Sequence, residues 1–181
     1  MGAWQSLVKR AGLTLSAAFL LIPGAVMAQK KAPAPKVDRF EAAFNRAYDA
    51  AEAGEYEKAR ADYKISCDGN FIKACLNLGM LYDEGKGGPV DDATAVLYYR
   101  KGCDGKDFKA CNTLGWMYSE GEGIGKDVAE ALRLFRLACD NGEMRACTSV
   151  GWSYAEGEGV AKDKAEALRF FTKGCEGEHG Y

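Results

Sequence analysis

The chain carries a single histidine, His179, among 181 residues. That excludes the zinc sites whose ligand sets need several histidines. A surplus of positive charge is also lacking: 24 Lys and Arg stand against 26 Asp and Glu, for a net charge of −2. A nucleic-acid surface would normally be basic, so no nucleic-acid partner is expected. There is no Cys-x-x-Cys, the spacing that marks a thiol-redox pair. There is no His-Glu-x-x-His and no glycine-rich phosphate loop in a strand-to-helix context. No metal or cofactor site is therefore read from the sequence. What is present is 48% hydrophobic and 28% charged residues, a balance that excludes a mostly disordered chain and allows a core.

The one long apolar stretch is N-terminal. Lys9 and Arg10 precede Ala11 to Met27, which is apolar apart from Thr14 and Ser16. Val26-Met27-Ala28 then puts small or modest residues before Gln29, the pattern of a secretory signal over residues 1–28. The stretch is short for a membrane span of about 20 residues, so cleavage is expected over an uncleaved anchor, with no stable membrane insertion afterwards. No Cys stands at the cut, which argues against a lipid-anchored form. Residues 29–37, with two Lys and then Ala-Pro-Ala-Pro, read as an extended linker. The expected location is the bacterial periplasm or outside the cell. In such an oxidising compartment cysteines are read first as disulfides.

All seven cysteines fall on a grid. Cys67, Cys103, Cys139 and Cys175 are 36 residues apart, and Cys75, Cys111 and Cys147 each follow a member of that set by eight. A fixed period of this size marks a repeat array. The copies are 71–106, 107–142 and 143–178, and the last two agree at half their positions. Each copy reads as two helices. In the first helix Ala110, Leu114 and Tyr118 share a face, and Gly121-x-Gly123 ends it. The second opens with Asp127-x-x-Glu130, repeated as Asp163-x-x-Glu166, a capping-box spacing with Asp as the cap. Its inner face holds Ala131, Phe135 and Ala138. The first copy has Asp91-x-x-Thr94 and lacks the acid. Gly79, Gly115 and Gly151 sit inside the first helices at a cost of about 1 kcal/mol against Ala. Close approach of a neighbouring helix is the expected compensation. Residues 38–70 form a shorter variant, whose loop is two residues shorter and whose 34-residue period is similar to that of a tetratricopeptide repeat, expected to cap the array.

The runs Ala-Cys-x-x-Leu-Gly-x-x-Tyr-x-x-Gly-x-Gly and Lys-Asp-x-x-x-Ala resemble Sel1-like repeats. The Cys-x7-Cys spacing resembles the secreted cysteine-rich Sel1-repeat proteins of bacteria, and also a mitochondrial cytochrome oxidase assembly factor. The resemblance implies an all-α fold, a right-handed α-solenoid of antiparallel helix pairs. Eight residues of straight helix rise about 12 Å, too far for a disulfide, so a turn must separate the members of each pair. Asp104-Gly105 supplies one. The expected disulfides are Cys67–Cys75, Cys103–Cys111 and Cys139–Cys147. Pairing along the 36-residue grid would span about 10 Å between repeats, which is too far. Cys175 has no partner eight residues on, because the chain stops at Tyr181. Residues 179–181 then read as the start of a truncated next repeat, and a genuine end with an unpaired thiol is the alternative. His179 reads as an inter-helix loop residue.

Some secreted relatives of this type are described as penicillin-binding or β-lactamase-like. A serine β-lactamase needs Ser-x-x-Lys, and the match here is Ser6 to Lys9, inside the signal. Thr172-Lys173-Gly174 has the wrong order for Lys-Thr-Gly. The pairs Glu120/Glu122 and Glu156/Glu158 recur in one loop and read as solvated. The binding face is more informative. Opposite the Leu114/Tyr118 stripe lie Lys109, Thr113, Trp116 and Glu120. The equivalent rows are Lys73, Asn77, Met80 and Glu84, then Arg145, Ser149, Trp152 and Glu156. In this architecture the first helix of each pair lines the concave side. Trp116 and Trp152 stand open between two readings, binding anchor and core packing. The expected function is an exported, non-catalytic scaffold that holds a protein or peptide of the cell envelope. Alternatives implied by resemblance are cell-wall or β-lactam binding, with or without hydrolysis, and a haem or redox assembly role.

Overall fold

The structure, a computed structural model, describes residues 38–178. The signal segment 1–28, the linker 29–37 and His179 lie outside these residues, as does the Ser6–Lys9 pair. Every regular element among the described residues is a helix: α1 (Arg39–Glu52), α2 (Tyr56–Asp68), α3 (Lys73–Asp83), α4 (Asp92–Asp104), α5 (Phe108–Glu120), α6 (Val128–Asp140), α7 (Met144–Glu156) and α8 (Lys164–Glu178). Consecutive helices pack on one another, most extensively in the pairs α1/α2, α3/α4, α5/α6 and α7/α8. The result is an α-solenoid of antiparallel helix pairs.

Aspartate side chains cap the starts of α1, α4, α5, α6 and α8. Asp127 accepts hydrogen bonds from the backbone N–H of Ala129 and Glu130, and Asp163 does the same for Ala165 and Glu166. The expected reciprocal half of the capping box is not made. Glu130 instead pairs with Arg133 at 2.6 Å, and Glu166 with Arg169 at 2.8 Å, each one turn along the helix. The cap residue's own N–H, which that half would use, donates instead to a carbonyl of the preceding helix, Asp127 to Tyr118 at 2.8 Å and Asp163 to Tyr154 at 3.0 Å. In α4, Thr94 substitutes for the missing acid, because its hydroxyl donates to Asp91 Oδ2 at 2.7 Å.

The joints between pairs follow the same grid. Between α2 and α3, α4 and α5, and α6 and α7, one residue adopts positive φ: Asn70 (68°), Lys106 (68°) and Gly142 (91°). The turn at the middle joint is made by Gly105 and Lys106, one residue on from the expected Asp104-Gly105. Each joint carries a disulfide. Cys67–Cys75, Cys103–Cys111 and Cys139–Cys147 span Cα distances of 4.9, 4.5 and 4.6 Å. Cys175 is a free thiol on the exposed side of α8.

The opposite edge is held by glycine. Gly87, Gly123 and Gly159, the second glycines of the Gly-x-Gly loops, all have positive φ. A Cβ on Gly123 would lie 2.3 Å from the Asp92 carbonyl carbon, and one on Gly159 would lie 2.4 Å from the Val128 oxygen. Each loop thus lies directly on the start of the even-numbered helix in the preceding pair. Inside the odd helices, a Cβ on Gly79, Gly115 or Gly151 would meet the ring of Tyr99, Phe135 or Phe171 at 2.6 Å. The close approach expected of these glycines is made by an aromatic ring of the paired helix. The core runs through the stack as buried Ala, Cys, Leu and aromatic residues, with Tyr99, Leu78, Leu134 and Val150 fully covered. At the far end Leu168 is exposed, whereas Val96 and Leu132 at the same repeat position are buried.

Candidate binding face

The odd-numbered helices bring the expected rows to one surface. Lys73, Lys109 and Arg145 lie in the first turns of α3, α5 and α7, and all three are exposed. Asn77 and Thr113 are half-buried, and Met80, Glu84, Glu120 and Glu156 are exposed. Ser149 departs from its row. It is 4% exposed, and its hydroxyl donates to Asn112 Oδ1 at 3.3 Å and to the Arg145 carbonyl at 3.2 Å. It joins α7 to α5 and is floor, not a free contact.

The tryptophans are packed on one side and open on the other. Trp116 packs on Phe135 and Trp152 on Phe171, each with ring centroids 5.4 Å apart. Yet they remain 43% and 53% exposed. The rings that brace them are the ones seated over Gly115 and Gly151, so the glycines position the tryptophans indirectly. Between the two indoles lies a cleft of about 410 Å³, lined also by Asn112, Arg145, Thr148 and Ser149. A second, of about 620 Å³, lies along the first turns of α3 and α5, with Leu76 and Phe108 among its apolar walls and Lys73 and Lys109 at its edge. Asn112 and Thr148 are missing from the expected rows. They occupy the repeat position of Leu76, and an apolar residue there in the first copy hides their polar role.

The charges on this face are unequal. Glu84 pairs with Lys86 at 2.6 Å and Glu156 with Lys162 at 3.6 Å. Lys73, Lys109 and Arg145 make no ion pair among the described residues. Behind the face, the Tyr99 hydroxyl donates to Asp83 Oδ2 at 3.1 Å. Burial pushes the Asp83 carboxyl above the usual Asp range, and that hydrogen bond opposes the shift in part. Burial next to Asp83 holds the Tyr99 phenol far above its ordinary value.

The other sequence motifs come to rest as structure. Glu120, Glu122, Glu156 and Glu158 are solvent-exposed, and no group of three metal-ligating side chains occurs among the described residues. Thr172 and Lys173 lie on α8, where the Thr172 hydroxyl donates to the Leu168 carbonyl at 2.9 Å. No helix of the described residues is long and apolar enough to cross a membrane.

The family model for the Sel1 repeat matches residues 72–107, 108–143 and 145–179. A protective antigen of uropathogenic Escherichia coli displaying an SLR fold (c5321) is 31% identical at a TM-score of 0.72, over 78% of this chain and 31% of that one. A Sel1 repeat protein from Oxalobacter formigenes is 32% identical at a TM-score of 0.70, over 76% of this chain and 58% of that one. This chain thus spans about a third and somewhat over half of those two proteins. Cysteine rich protein B of Helicobacter pylori shares the fold, with a TM-score of 0.53 and 22% identity, over 75% of this chain and 90% of that one. No curated protein matches at a significant level.

Proposed function

Because the chain belongs to the Sel1 repeat family, we propose that it is an exported, non-catalytic scaffold whose concave face holds a peptide segment of a cell-envelope protein. Stacked repeats present one long surface in place of an enclosed active-site pocket, and that suits an extended partner. The observation that carries the reading is the pair of half-exposed indoles. A buried Trp is core and a wholly free Trp is unusual, but Trp116 and Trp152 are each braced from behind and bare in front. A rigid aromatic group with little conformational entropy left to lose is a strong anchor for a partner. Three disulfides, one at each joint, support folding in an oxidising compartment. With the signal pattern before residue 29, they favour the periplasm or the exterior.

The test is selection of displayed random dodecapeptides on the oxidised protein, followed by titration of recovered peptides with indole fluorescence as the readout. A Trp116→Ala/Trp152→Ala variant of equal helicity should lose binding by tenfold or more. Recovered peptides that bind both proteins alike would place the binding surface elsewhere.

A further inference from the structure

We infer that the segment held on this face is acidic and extended, with carboxylates at every third residue. The inference rests on the groove reading above and adds the chemistry of the occupant. Lys73, Lys109 and Arg145 repeat at one position in three successive odd helices, and none has an acidic partner among the described residues. Elsewhere on the same molecule lysines and arginines are mostly engaged. Lys58, Lys64, Lys86, Lys101, Lys162 and Lys173 all pair with carboxylates within 4 Å. Arg39, Arg60, Arg100, Lys106, Lys126, Arg136 and Lys164 also lack an ion pair among the described residues, but no other repeat position carries three such cations.

The acids nearest that row are already occupied or peripheral. Asp107 spends its Oδ1 on the N–H groups of Lys109 and Ala110, and Glu143 stands at the rim of the larger cleft. The α3 and α7 starts have no side-chain cap, so their first N–H groups add to the positive field at the row. The opposite row, near the Gly-x-Gly loops, is partly neutralised because Glu84 and Glu156 pair with lysines of the loops. The face is therefore polarised toward an anionic partner.

Spacing sets the period. Neighbouring helices lie about 10 Å apart, and an extended chain of the polyproline II type advances about 3.1 Å per residue with about three residues per turn, so every third side chain shares one face and matches successive cations. Arg145 also lines the cleft between the two indoles. The carboxylate it receives is therefore followed closely by an apolar side chain lying between Trp116 and Trp152.

The probe is an acetylated and amidated octapeptide, Asp-Thr-Val-Asp-Thr-Val-Asp-Phe, with counterparts carrying Asn or Lys in place of each Asp. Binding is read by fluorescence anisotropy at low and moderate salt. The Asp peptide is expected to bind at least about tenfold tighter than the Asn peptide, and to weaken with salt. A Lys73→Glu/Lys109→Glu/Arg145→Glu variant of normal helicity should lose that preference and favour the Lys peptide. Equal affinity for the Asp and Asn peptides, or no effect of the charge reversal, overturns the inference. If the Asn peptide binds as well and still depends on the indoles, the groove reading stands while the acidic occupant falls. Charge-dependent binding indifferent to Trp116→Ala/Trp152→Ala would support the cation row and overturn the groove.

Discussion

Three glycines separate two costs that are usually confounded. Gly125 has an ordinary φ and nothing within 4 Å of a built Cβ. Gly142 has φ of +91° but also open space around it. Gly123 combines φ of +63° with a Cβ position 2.3 Å from the Asp92 carbonyl carbon and 2.7 Å from the Ala93 nitrogen. Replacing each by Ala gives a graded series. Gly125→Ala removes only freedom from the unfolded chain and should be neutral or stabilising by up to about 1 kcal/mol. Gly142→Ala should cost about 1 kcal/mol, the strain of a left-handed L-residue. Gly123→Ala should cost about 2–4 kcal/mol. To the same strain it adds about 1–3 kcal/mol of overpacking against backbone, which cannot rotate aside as a side chain does. Guanidinium midpoints of the oxidised proteins, followed by indole fluorescence, would measure the order. An array can unfold in stages, so far-ultraviolet dichroism should be followed alongside. Equal midpoints for Gly123→Ala and Gly142→Ala would refute the claim that the loop rests on the preceding helix. A large loss at Gly125 would refute the whole scheme.

Lys106 holds φ of 68° where the equivalent joints use Asn70 and Gly142. Lys106→Gly should stabilise by about 0.5 kcal/mol, the strain relieved less the entropy glycine loses on folding, and a lower thermal midpoint would contradict this. Removing one bridge as Cys103→Ala/Cys111→Ala opens a nine-residue loop, and the chain-entropy model sets the loss at about 2.6 kcal/mol. An unchanged midpoint under oxidising conditions would show that the joint is held without it. Asp83 binds its proton more tightly in the folded than in the unfolded chain, so it favours folding in acid. That favour is lost as pH rises from about 3.9 through the raised folded value. Asp83→Asn should therefore gain stability relative to the parent at pH 7 compared with pH 3, and an identical difference at both would sink the assignment.

The sequence made the architecture legible because the repeat prints each contact three times. The cysteine grid separates the disulfide pairs, since helix spacing rules out pairing along the 36-residue grid and helix rise demands a turn within each pair that forms. Phe135 and Ala138 read as core from their periodicity. What stayed hidden depends on groups distant in the chain. Gly123 reads as a helix stop, and only the fold shows the Asp92 carbonyl beneath it. Glu130 looks like half of a capping box until Arg133 is seen to take its carboxylate. Ser149 shares a grid position with the half-buried Asn77 and Thr113, and its hydroxyl is taken up by Asn112 on α5, the preceding odd helix. The unpaired state of Lys73, Lys109 and Arg145 is likewise a property of surroundings that no local pattern records.

The disulfides all lie along one edge, where even helices end and odd helices begin, and the glycine loops lie along the other. Mechanically the stack is a book bound on one side. Its spine is covalent, and its fore-edge is held by contacts that can part and close again. Any opening of the stack would therefore pivot about the sulfur side and be widest at the loop side. Trp116 and Trp152 sit in the loop-side halves of α5 and α7. Reduction of the three disulfides would free the one side that otherwise stays shut.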